Sequence, residues 1–148
     1  MLKDLLTTKT VEVRTDCDSW QEAVERGGEL LENINAISHH YTEAMKQSIV
    51  ENGPYVVIAP HIALLHARPE DGVNEVCMSL QIINTGVHFG YEKRDPVKLV
   101  FAFGAIDSQS HLKALQQLME LFNNENLLEK LKNSETNSEA VKLLNKYL

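Results

Sequence analysis

Apolar and polar positions alternate with a period of two over residues 10–14, Thr-Val-Glu-Val-Arg, and with β-branched side chains among them they predict a strand with one buried face. Ser19 and Glu22 follow at capping-box spacing, ahead of an amphipathic run through Ala23, Val24, Leu30 and Leu31 that predicts a helix. A second helix is predicted from Ser38 to Asn52, with Tyr41, Met45, Ile49 and Val50 on one face and Gly53-Pro54 as its stop. Residues 55–59, Tyr-Val-Val-Ile-Ala, are too apolar on both faces for a surface position and predict a buried strand. Val76–Asn84 and Val97–Ala105 predict further strands, the second having the apolar run of a central strand covered on both sides. Turn residues at 84–86 and 92–96 leave residues 87–89 as a short edge segment. Beyond Asp107 the period becomes helical, through Leu112, Leu115, Leu118, Met119 and Phe122, then Leu127, Leu128 and Leu131. Thr136 and Glu139 cap a last helix carrying Val141, Leu144 and Tyr147. Strands alternate with helices only in part, so the predicted fold is α/β, a mixed, mostly parallel central sheet sandwiched between helices, in a single domain over residues 1–148.

Composition narrows the classes. A chain of 148 residues is long enough for one substantial core, burying roughly 70% of the surface its unfolded form exposes. With 14 Lys and Arg against 21 Asp and Glu the formal charge is −7, and the chain lacks the positive field that draws in nucleic acid or anionic lipid. Cys17 and Cys77 have neither CxxC spacing nor neighbours, and read as reduced core thiols. Lys3 and Asp4 interrupt the N-terminus before a signal-peptide stretch forms, and no run approaches the ~20 apolar residues that span a bilayer. A soluble, cytoplasmic protein is expected, with no direct membrane insertion. Its six His stand out, since imidazole titrates near neutral pH. His39-His40 fall at the start of the second predicted helix and His88 on the edge segment, both solvent positions.

The chemistry concentrates in residues 53–72, GPYVVIAPHIALLHARPEDG. The predicted strand ends at Ala59, the chain bends at Pro60, and a Pro-bounded loop gathers His66, Arg68, Glu70 and Asp71. Loops at the ends of buried strands present functional groups on a rigid support. Glu51, Ile58, Ala59, Ile62, Ala63, Leu64, His66 and Ala67 also fall in register on a longer pattern: an acidic or amide residue, six free positions, an aliphatic and a small residue, two free positions, then aliphatic-Ala-aliphatic-Pro-His-small. This resembles the IIA domains of the sugar phosphotransferase system, mannitol/fructose superfamily, and GPYVVIAP with HARPEDGV is most similar to the ascorbate-type IIA proteins. The similarity extends over most of the chain, including DPVKLVFAFGAID and the following segment with His111. Leu65 stands where Pro is usual, His61 and Ala67 where Gly is usual.

The resemblance implies a mannitol/fructose-type IIA fold and a phosphocarrier in which His66 accepts a phosphoryl group through Nε2 from the phosphohistidine of HPr. It passes the group to a cysteine of a IIB component that serves a IIC membrane transporter of ascorbate or a related sugar. His111 is then the second site histidine, beside a helix N-terminus whose free N–H groups suit an anion. Arg68, Glu70 and Ser110 are the expected phosphate-binding or orienting groups; Arg68 offers a two-pronged contact that Lys does not. No cofactor or metal is implied, because the donor is itself a phosphoprotein, and a homodimer is left open. Without the resemblance, Arg68 and Glu70 read equally well as a surface pair. Two other classes stay open on the residues: a regulatory IIA-like module controlling a partner by its phosphorylation state, favoured by Leu65 and His61, and a metal-dependent hydrolase using His61 and His66 with Glu70, Asp71 or His111.

Overall fold

The computed structural model describes residues 1–148. In chain order the first half holds α1 (Leu2–Leu5), β1 (Val11–Arg14), α2 (Trp20–Glu32), α3 (His39–Asn52), β2 (Val57–Ala59), β3 (Ile62–Leu65) and a 3-10 turn (Pro69–Asp71). The second half holds β4 (Cys77–Val87), β5 (Val97–Gly104), α4 (Ser108–Phe122), α5 (Glu125–Lys132) and α6 (Asn137–Tyr147). The strands form one sheet in the order β1-β4-β5-β3-β2.

The sheet is mixed and lies between helical layers, as expected. Its contacts are evenly divided: β1–β4 and β3–β5 are parallel, β4–β5 and β2–β3 antiparallel. Short connections cause the antiparallel pairs, since a parallel neighbour needs a long crossover. The tightest connection is Pro60-His61, which turns β2 directly into β3 and pairs Ala59 with Ile62. Proline followed by a left-handed residue is the pattern of a type II turn, and His61 has φ +69°. That accounts for the usual glycine at this position.

Strand β3 was absent from the pattern-based expectation, which ended the strand at Ala59 and made everything after Pro60 a loop. Its four residues, Ile-Ala-Leu-Leu, are all buried. Ile62 and Leu64 face one layer while Ala63 and Leu65 face the other. Leu65 is thus a core residue paired with Ala102, wholly excluded from solvent. A second difference concerns residues 84–86: the expected turn is an irregularity inside a long β4, where Gly86 takes φ +80°. A Cβ there would stand 2.6 Å from Pro96 Cβ, so glycine is required. Phe89 is buried against the core and its ring lies 6.4 Å from that of Trp20, so the expected edge segment beyond Val87 is a packed loop. Cys77 is a core thiol as expected, whereas Cys17 is only half buried.

Each face of the sheet has its own core. Leu80, Ile82, Leu99, Phe101 and Phe103 pack against α1, α4, α5 and α6; Ala63, Leu65, Ile83, Val100 and Ala102 pack against α2 and α3. The second layer is pulled in close. The buried Ser79 hydroxyl donates to the Gly27 carbonyl (3.0 Å) and the Gln81 amide to that of Ala23 (2.8 Å), so polar sheet residues are satisfied by the helix backbone. Gly28 faces Thr42 of α3 so closely that a Cβ on it would stand 2.1 Å from Thr42 Oγ1. Gly28→Val should therefore push α2 off α3 and lower stability by about 2–3 kcal/mol in urea unfolding; an unchanged midpoint would contradict this packing.

Candidate functional site

Parallel pairing of β3 with β5 sets Leu65 opposite Ala102. The next residue of each strand is then His66 or Phe103. His66 leaves the sheet half buried, its Nδ1 3.0 Å from the Leu64 carbonyl oxygen. A carbonyl only accepts, so Nδ1 carries the proton and the lone pair lies on Nε2. The Tyr55 ring stands edge-on to the imidazole, with centroids 6.0 Å apart at 85°. Both residues line an open cavity of about 410 Å³ with Ser48, Asn52, Ala67 and Arg68. A second polar depression adjoins it along α3, sharing Ser48, Asn52, Ala67 and Arg68 and adding Glu43, Glu51 and Asp71 among others.

The chain past His66 is held by one buried hydroxyl. Tyr41 Oη accepts the Ala67 amide (3.0 Å) and donates to the Phe103 carbonyl (2.6 Å), joining α3, the end of β5 and the loop. Burial pushes the Tyr41 phenol from 10.0 up to about 12, so it stays protonated and remains a donor. Beyond Ala67 the Asp71 carboxylate accepts the Arg68 amide (3.1 Å) and the Asp71 amide donates back to the Arg68 carbonyl (2.9 Å), closing the 3-10 turn. The Arg68 guanidinium is exposed and forms no ion pair, so the alternative Arg68–Glu70 pairing does not occur. Glu70 is exposed on the 3-10 turn and does not line the His66 cavity.

His111 reaches the region from the other layer. It is exposed in the first turns of α4, with its ring centroid 5.4 Å from that of Phe103. The His66 cavity does not include it. The α4 N-terminus differs from the expectation of free N–H groups around an anion. Asp107 caps it, accepting the Ser110 amide and the Ser110 hydroxyl, both at 2.7 Å, and its carbonyl takes the His111 amide. The Ser110 bonds hold the Asp107 carboxyl below its ordinary range. Ser110 is thus a capping partner, and a negative charge already occupies the helix end. The metal reading loses its cluster as well. His61 ends the turn before β3 and His66 follows β3, about 16 Å apart at about 3.3 Å per residue. His61 Nδ1 donates to the Pro96 carbonyl at 2.7 Å, which ties down the left-handed turn.

Tyr41, Ser48, Asn52 and Tyr55 were missed as site residues. Tyr41, Met45, Ser48 and Asn52 follow one stripe of α3, and the change from apolar to polar at its end is the signal that was available.

Residues 4–147 match the family model of the phosphoenolpyruvate-dependent sugar phosphotransferase system, EIIA 2, and the chain belongs to that family. It is 38% identical over 130 residues to the mannitol-specific cryptic phosphotransferase enzyme IIA component of Escherichia coli K12, covering 88% of each chain. It is 31% identical over 147 residues to that strain's ascorbate-specific EIIA component, covering 98% of this chain and 96% of the relative. The solution structure of the cryptic mannitol IIA from E. coli superposes with a TM-score of 0.88 at 34% identity, over 98% of both chains. The fold is also that of the E. coli mannitol IIA enzyme solved in complex with its phosphorylated IIB enzyme, at a TM-score of 0.82, 22% identity and 96% and 99% coverage. No helix is long and apolar enough to cross a membrane.

Tyr41→Phe should leave the Ala67 amide and Phe103 carbonyl without their partner and cost about 1–3 kcal/mol, with faster hydrogen exchange at Ala67; native exchange there would contradict the bridge. Cys77 is pushed by burial from 9.0 up to about 12, alongside Tyr41. Both groups stay protonated in the fold and ionise more readily when unfolded, so stability should fall as pH rises from 9 towards 12. Cys77→Val should flatten that decline, and an unchanged slope would contradict it.

Proposed function

We propose that this chain is a cytoplasmic phosphocarrier IIA domain and that His66 is its phosphoacceptor. The observation that carries the reading is the Nδ1 of His66 on the Leu64 carbonyl, which leaves the lone pair on Nε2 of a residue that lines an open cavity. In the first step the Nε2 lone pair forms a bond to phosphorus as the N–P bond of phospho-HPr breaks and its electron pair returns to the donor imidazole. In the second, a IIB cysteine thiolate forms an S–P bond, the His66 N–P bond breaks, and His66 returns to its neutral form. The histidine keeps its Nδ1 proton throughout. Such transfers need in-line placement and charge stabilisation more than covalent chemistry. Arg68 has a free guanidinium in the same cavity for the phosphoryl oxygens, with Asn52 as a neutral donor.

Membership of the EIIA 2 family and the mannitol enzyme's complex with phosphorylated IIB support a IIB partner here. The sugar imported through the cognate IIC is ascorbate or a related sugar, on the ascorbate-type motif and the 31% identical ascorbate-specific relative. The 38% identical mannitol-specific relative makes mannitol the second sugar to test. A purely regulatory role rested on Leu65 and His61, and both have packing explanations: Leu65 fills the core and His61 sits in a tied turn.

His66→Ala should abolish transfer of label from phosphoenolpyruvate through HPr and the phosphoenolpyruvate-dependent enzyme that phosphorylates HPr on histidine, and retained labelling would sink the assignment. His111→Ala should still be labelled but should pass phosphate to IIB more slowly, whereas an unchanged onward rate would remove His111 from the site.

A further inference from the structure

We propose that Tyr55 is a positioning residue for His66, holding the imidazole so that Nε2 faces the cavity where phosphorus must arrive; the proposal rests on the reading of His66 as phosphoacceptor. The Nδ1–H bond to Leu64 decides which nitrogen carries the proton. That bond weakens steeply once the N–H turns away from the carbonyl, however, and by itself it does not stop the ring from pivoting off it. The Tyr55 ring, at 6.0 Å and 85°, closes one side of the pivot in the edge-to-face arrangement aromatic pairs prefer.

Tyr55 is not held there by the core. It belongs to neither core cluster and is 43% exposed. Its phenol is instead hydrogen-bonded to the Ser48 hydroxyl at 2.6 Å. Gly53, with φ +80°, ends α3 and sends the chain back so that residue 55 returns over residue 48. Ser48, Tyr55 and His66 line one cavity, so the anchor, the wall and the phosphoacceptor act at one place.

Edge-to-face pairs are worth about 0.5–1.5 kcal/mol, which corresponds to about a two- to tenfold change in rate. The test uses the full chain as Tyr55→Ala, Tyr55→Phe and Ser48→Ala. It measures kcat and KM for phosphorylation by phospho-HPr, and long-range 1H–15N spectra of the unphosphorylated His66 imidazole. Tyr55→Ala should lower kcat about two- to tenfold at unchanged KM and mix the two neutral tautomers of His66. Tyr55→Phe and Ser48→Ala each keep the ring but remove its one anchor, and both should fall between wild type and Tyr55→Ala. An unchanged kcat, a loss confined to KM, or a His66 spectrum identical to wild type would each overturn the proposal. Ser48→Ala, which removes only the phenol's anchor, carries the same test if Tyr55→Ala fails to fold. Absence of labelling on His66 in the wild type would overturn the functional reading instead; the spectra then decide by themselves whether Tyr55 sets the ring.

Discussion

The hydroxyl of Tyr41 joins three parts of the molecule: it accepts from the amide after His66, donates to the Phe103 carbonyl near the end of β5, and rises from the buried face of α3. Pairing between β3 and β5 stops at Leu65 and Ala102. Without a further bond the chain would be free to swing from that point, and His66 is the next residue. Tyr41 extends the ladder by side chain one step past the sheet. Because its surroundings exclude water, the phenol keeps its proton and the bridge persists at any pH where the protein works. A buried donor and acceptor both satisfied by one hydroxyl form a small network in which losing any member leaves the others unpaired.

Two layers with different packing converge on that bridge. On one side Gly27, Gly28, Ala63, Ser79 and Ala102 bring α2 and α3 close to the sheet, which carries the C-terminal turns of α3, with Ser48 and Asn52, to the His66 cavity. On the other, larger side chains such as Phe101 and Phe103 hold α4 away, and Phe103 supplies the surface on which His111 rests. His111 therefore comes from the α4 layer while His66 leaves the end of β3 beside α3, and both lie at the same end of the sheet on or beside neighbouring strands. Among the residues lining the His66 cavity Arg68 is the one Lys or Arg, and it has no ion pair, so the cavity differs in sign from its acidic surroundings.

Much of this was legible in the residues. The order of strands and long helices followed from periodicity, and the caps at Ser19 and Thr136 form as their spacing predicts. His66 stands out because a spaced motif, rather than a lone imidazole, surrounds it. What was lost has physical causes. Strand β3 is short and apolar on both faces, so it has no alternation to detect, and Pro60 hid its start. The bulge at Gly86 uses the same residues as a turn. Single-turn α1 depends on burial of Leu2 and Leu6 against distant elements rather than on its own pattern. Tyr41, Ser48 and Tyr55 were invisible as site residues because their partners are brought in by the fold: a polar residue at the end of a helix looks solvated until the chain reverses at Gly53 and lays Tyr55 across it.

The central claim is that the fold presents one particular nitrogen of one particular histidine. The most direct measurement is 15N and 31P NMR of the chain phosphorylated by phospho-HPr, which locates the phosphorus by its coupling to a ring nitrogen. Phosphorus on Nε2 of His66, with Nδ1 still protonated, is the predicted result. Phosphorus on Nδ1 of His66, or on any other of the six histidines, would contradict it.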